Sequence, residues 1–169
     1  MRSLIALSTV LLASLLPSFG CGGASYTGGV FTDGNVSFAV TPPAAGWSAL
    51  RVEEHNDLAW FSEDLSAVIQ VNGSCDPRLD LPLVALENHL LIGFTDRERL
   101  EQLSRSFDAR EALDSHLRAK LDGVVRELRF VILKKDECVY DFALVAPPGA
   151  SFERANQDFS TLLESFESR

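Results

Sequence analysis

The chain has 169 residues, of which 46% are apolar and 23% charged, and its formal net charge is −9. That length suits one domain with a real core, and the composition is globular rather than disordered. The acidity and the lack of a basic cluster argue against nucleic-acid binding, which requires Lys and Arg to neutralise phosphates, and against electrostatic attachment of the domain to anionic lipid.

Met1-Arg2-Ser3 carries one positive charge, and Leu4 to Leu16 follows as an apolar run. A short basic start and a short apolar stretch describe a secretory signal peptide over residues 1–20. The run falls short of the roughly 20 apolar residues that span a bilayer. It closes Leu16-Pro17-Ser18-Phe19-Gly20-Cys21, which resembles a bacterial lipoprotein signal cleaved just before a lipid-bearing cysteine. Gly20 and Cys21 match that pattern, whereas Ser18 and Phe19 depart from it. The resemblance implies lipid on Cys21 and attachment to a membrane facing the periplasm. Gly22 resembles the non-aspartate signal that favours the outer over the inner membrane. The alternative is ordinary cleavage nearby, with Cys21 free or paired. Residues 21–29, rich in Gly and Ser, read as a flexible tether, and residues 30–169 as a single domain.

Along the domain, Val30–Thr32 and Val36–Val40 flank the turn Asp33-Gly34-Asn35 and read as a hairpin. Pro42 to Trp47 breaks the pattern and returns an aromatic to the core. Strands are expected over Ser48–Glu53, Leu58–Ser62 and Ala67–Val71. Leu83, Leu86, Leu90 and Phe94 then recur at helical spacing, with Asp80 as the N-cap, Pro82 in the first turn and Gly93 near the stop. Thr95–Phe107 is charged and fits a surface turn followed by a strand. Leu113, Leu117 and Leu121 fit either a helix or a strand, and Asp122-Gly123 tips the choice to a hairpin into Val124–Leu133. Cys138 to Val145 is apolar on both faces, which marks a strand covered on both sides, and it reads as the centre of the fold. Pro147-Pro148-Gly149 ends it. Ser151 is expected to cap a last helix whose Phe152, Ala155, Phe159, Leu162 and Phe166 form one apolar stripe.

If Cys21 carries lipid, Cys75 and Cys138 remain as an even pair in an oxidising compartment, which suggests a structural disulfide. No Cys-x-x-Cys is present to indicate redox or zinc chemistry. His55 is expected in a turn, His89 on the polar side of the first helix and His116 on the solvent face of a strand. None has metal-site spacing, no serine lies in a Gly-x-Ser-x-Gly elbow, and the acidic pairs fall in turns. No catalytic, cofactor or metal motif emerges.

Val36-Ser37-Phe38-Ala39-Val40-Thr41-Pro42 leading to Gly46-Trp47, the strand around Tyr140, and the closing helix from Asp158-Phe159 to Ser165-Phe166 are together similar to the PsbP/DcrB-like fold. The resemblance spans roughly Val30 to Phe166. It implies an α+β domain, a central antiparallel sheet with helices packed on both faces. It also implies a noncatalytic accessory or adaptor role with a protein partner in the cell envelope, since members of that fold family are mostly of this kind. Two other readings stay open: an inhibitor or immunity lipoprotein with one cognate protein, and a hydrolase whose residues converge only in three dimensions.

Overall fold

In the computed structural model, which describes residues 23–51 and 56–169, the chain builds two antiparallel sheets and two helices. The expected signal segment, Cys21 and His55 lie outside the described residues. Ser25–Thr27 (β1), Val30–Asp33 (β2) and Val36–Ala39 (β3) form a small sheet, completed by Glu167–Ser168 (β11) from the far end of the chain. The hairpin expected at Asp33-Gly34-Asn35 is present, with Gly34 at φ 54°, the left-handed backbone that such turns need. The tether expected over 21–29 gives way earlier: β1 pairs with β2, and the Tyr26 hydroxyl donates to Val40 O at 2.7 Å.

The main sheet has seven strands in the order β4-β5-β6-β10-β9-β8-β7. They are Ser48–Ala49 (β4), Leu58–Ser62 (β5), Ala67–Ser74 (β6), Phe94–Phe107 (β7), Arg110–Leu121 (β8), Val124–Lys135 (β9) and Cys138–Ala146 (β10). β10, the run apolar on both faces, takes the middle place. Its even residues Tyr140, Phe142 and Leu144 share one core with Ile69, Val71, Val131 and Leu133. On that face lie the helix Ala150–Glu164 (α2), through Phe152, Ala155, Phe159 and Leu162, and the small sheet, through Phe31 and Phe38. The odd residues Val139 and Ala143 face the other way, over Leu128, Phe130 and Ile132, where the helix Leu83–Leu90 (α1) and Leu91 close the layer. The fold is the expected α+β arrangement with one helix on each face; the small second sheet is an addition to it.

The two sheets meet at Gly73. A Cβ there would lie 2.6 Å from Val36 Cγ1 and 3.3 Å from the Tyr140 ring, so only glycine permits the approach. Phe166 closes the same junction, its ring 4.8 Å from that of Phe142 and 5.3 Å from that of Tyr140.

Several boundaries differ from the sequence reading. The strand expected over Ser48–Glu53 has only Ser48–Ala49 within the described residues. Pro82, not Asp80, is the N-cap of α1, because its carbonyl accepts from Ala85 and Leu86 while the Asp80 carboxylate is drawn to Lys134 Nζ. Phe94 is the first residue of β7 rather than the last apolar position of the helix, and Gly93 at φ 90° makes the turn between them. Thr95–Phe107 belongs to β7 rather than to a turn and a strand, with Asp96 at φ 48° and register irregularities between Thr95 and Glu101. Gly149 at φ 85° precedes α2 as its N-cap, so Ser151 sits inside the first turn. Leu113–Leu121 is strand, paired on both sides. Among the described residues no helix is long and apolar enough to cross a membrane.

Candidate functional site

β6 ends, β9 ends and β10 begins at the same end of the main sheet, and a disulfide joins the β6 and β10 ends there. Cys75, one residue past β6, is bonded to Cys138, the first residue of β10, across 63 positions of sequence. The pairing suggested by the cysteine count is the pairing found. Just beyond Cys75 the chain makes a single 3₁₀ turn, Pro77–Leu79, whose first free N–H, that of Arg78, donates to the Asp76 carboxylate at 2.9 Å. Between this turn and the β9–β10 turn opens a cavity of about 610 Å³, walled by Leu79, Asp80, Arg110, Lys134, Lys135, Asp136, Glu137 and Val139 with the disulfide at its side.

The charges of this wall divide into two sets. Lys134 Nζ is held by the Asp80 carboxylate and by Leu81 O at 3.3 Å, and Lys135 Nζ stands 3.0 Å from Asp108 on the neighbouring β7–β8 turn. Asp76 is held down to about 2, first by the hydrogen bonds it accepts from the Arg78 side chain. The contact with Lys134 likewise lowers Asp80. Burial works against ionisation of Asp108, yet the Ser168 N–H and Lys135 keep its carboxyl below the ordinary range. Arg110, Asp136 and Glu137 form the other set and have no ion-pair partner among the described residues. Asp136 and Glu137 also adopt φ of 52° and 65°, a two-residue hairpin turn of the type that glycine and asparagine favour. The site thus presents a carboxylate pair and a guanidinium beside the apolar Leu79 and Val139.

Elsewhere the sequence-predicted histidines scatter. His89 is exposed on α1, as expected. His116 is not on a solvent face: its ring stacks on Phe152 of α2 with centroids 4.8 Å apart, and Nε2 lies 2.7 Å from Glu127 Oε1. The reason is lateral position. β8 lies inside the sheet, so Asp114 and His116 meet side chains of β9 and α2 rather than open water, while Arg118, nearer the strand's end, stays exposed. Asp114 takes two bonds from Arg129, at 2.9 and 2.7 Å, while Arg129 Nη1 donates to Asn156 and Ser160 of α2, each at 2.9 Å.

One polar cluster was not anticipated. Asn72 of β6 donates to Asp141 Oδ1 at 2.8 Å and accepts from the Asp57 N–H at 3.1 Å, while Asp57 Oδ2 accepts from Gly73 N at 2.7 Å. Burial drives both carboxyls up to about 6; Asn72 opposes the rise at Asp141, and Asp57 adds to it by like charge. The only trace in the sequence is Asp141 itself, an acid inside an otherwise apolar strand. Among the described residues no three or more His, Cys, Asp or Glu side chains converge in a way that could hold a metal ion.

Solved structures share this architecture. The solution structure of cyanobacterial PsbP (CyanoP) from Synechocystis sp. PCC 6803 is similar with a TM-score of 0.60 at 18% identity, over 92% of this chain and 99% of that one. The crystal structure of LpqN, involved in cell envelope biogenesis of Mycobacterium tuberculosis, is similar with a TM-score of 0.53 at 10% identity, over 80% of this chain and 86% of that one. The fold is therefore PsbP-like. No protein-family model matches the chain, and no curated protein matches it by sequence.

Proposed function

We propose that this chain is an exported lipoprotein, anchored through Cys21 and facing the periplasm, with a noncatalytic accessory role in an envelope or membrane assembly, and that the cavity beside the Cys75–Cys138 disulfide docks its protein partner. The observation that carries the reading is the wall of that cavity. Lys134 and Lys135 are tied to carboxylates that hold the rim in shape, while Asp136, Glu137 and Arg110 are left to meet a ligand. A polypeptide segment with a basic side chain beside an apolar one matches that surface in charge and in its Leu79–Val139 floor. The likeness to LpqN supports an envelope setting, and the signal-like leader supports export, with the outer membrane the better fit to Gly22.

The test isolates the full chain from its native envelope after crosslinking and identifies what accompanies it, beside Cys21→Ser and the pair Asp136→Asn with Glu137→Gln. The pair removes two charges and keeps side chains that tolerate the turn. The expected result is stoichiometric recovery of envelope subunits, lost in Cys21→Ser and cut about tenfold in the double variant, as for loss of a charged contact. Membrane attachment unchanged in Cys21→Ser would overturn the anchor. Undiminished recovery in the double variant would overturn the cavity as the docking site.

A further inference from the structure

Among the described residues β7 is the long edge strand of the main sheet: β8 pairs with one side, and no strand pairs with its other row of backbone N–H and C=O groups. Natural sheets usually blunt such edges with bulges and charge. Here both register irregularities fall before Glu101, and the ladder from Glu101 to Phe107 is regular. Within that straight part the sequence is Glu101-Gln102-Leu103-Ser104-Arg105, an acid, a polar residue, a leucine, a polar residue and a base. Glu101, Leu103 and Arg105 share one face by the two-residue period of a strand.

We propose that this stretch is a self-association edge that pairs antiparallel with the same stretch of a second copy, about a twofold axis at Leu103. A twofold perpendicular to a sheet must pass through a residue pair. Placed at Leu103, it sets the leucine opposite its own copy, Gln102 opposite Ser104, and Glu101 opposite Arg105 twice. Opposed residues in such a ladder have their Cβ atoms about 5 Å apart, close enough for each contact. The three side chains have what the pairing would use. Leu103 is 50% exposed. Glu101 has no ion-pair partner among the described residues. Arg105 Nε stands 2.8 Å from Asp114, a carboxylate that Arg129 also holds; Nε and Nη2 are buried without a hydrogen bond among the described residues, so the third of the side chain that is exposed, with Nη1, is what the pairing would use. An axis one residue either way, at Gln102 or Ser104, destroys the match, placing Glu101 opposite Leu103 or opposite Phe107. The edge is also stiff, because Glu87 of α1 holds Arg99 and Gln102 from beneath.

The test is sedimentation of the full chain in density-matched detergent over a wide concentration range, with Glu101→Arg and with Glu101→Arg plus Arg105→Glu. A monomer–dimer equilibrium is expected, weakened about tenfold or more by Glu101→Arg and recovered in the charge-swapped chain. Because Arg105 also touches Asp114, a second measurement leaves every charge in place. Leu103→Cys should give an intermolecular disulfide dimer on mild oxidation, whereas Ser106→Cys, which this register sets opposite Leu100, should not. A chain that stays monomeric throughout overturns the proposal. So does equal crosslinking of the two cysteine variants, or a dimer indifferent to Glu101→Arg.

Discussion

Asp141 stands in the middle of the central strand, and its nearest titratable neighbour is another carboxyl. Asn72 bridges it to Asp57, and burial raises both to about 6. The sign follows from linkage: a carboxyl that holds its proton more tightly when folded contributes stability below the unfolded pKa, near 4, and that contribution is lost as pH rises through 6. The two groups titrate as a pair. Asp141→Asn keeps an oxygen to accept from Asn72 and removes the charge. It should raise the urea midpoint at pH 7 by the equivalent of about 1 kcal/mol, a figure reduced from the full linkage value because the two coupled carboxyls share the shift. It should also flatten the dependence between pH 4 and 6. A midpoint that falls at pH 7 would mean that Asp141 is ionised at little cost in the fold.

At the scale of elements, α1 does more than cover apolar surface. Its spacing predicts Leu86 as a core position, and Leu86 is 5% exposed; the adjacent Glu87 is 0% exposed. That carboxylate accepts from Arg99 at 2.6 Å and from Gln102 at 3.1 Å, clamping β7 against the helix. Removing one partner of such a buried pair is costly, although Arg99 is exposed enough to rehydrate. Glu87→Ala should therefore cost about 2 kcal/mol, with faster amide exchange concentrated in β7. Exchange unchanged in β7 would show that pairing with β8 alone fixes the strand. The clamp also explains why the charges of Thr95–Phe107 do not alternate cleanly: Arg99 turns to Glu87 on one face and Arg105 to Asp114 on the other, so no single polar side marks solvent.

For the molecule as a whole, the Cys75–Cys138 bond joins two central strands at the end that carries the cavity. It closes a long loop that contains α1 and the whole β7–β9 meander. Loop entropy sets an upper figure near 4 kcal/mol, so Cys75→Ala with Cys138→Ala should lower stability by about 2–4 kcal/mol. The same variant should loosen the cavity rim before the far end of the sheet, seen as local loss of exchange protection around Leu79 and Val139. Uniform destabilisation would show the bond acting on the unfolded chain alone.

What the sequence determined by itself is whatever follows from local period and from residues with few conformational options. The doubly apolar run of β10 demanded cover on both faces, the Phe152–Leu162 stripe demanded a helix on that cover, and the pair of cysteines left once Cys21 is set aside pointed to one bond. These are readable because burial acts on each residue with a period of two or of 3.6, whatever its distant neighbours are. The tertiary structure alone decided which polar side chains are buried. Asp114, His116, Glu87 and Asp141 look like solvent residues in one dimension, yet each lies under a helix or between strands because long-range register supplies its partner: Arg129, Phe152 and Glu127, Arg99, and Asn72. A charge can be buried only where another element brings its complement. That information lies in the pairing of segments, and no stretch of the chain holds it alone.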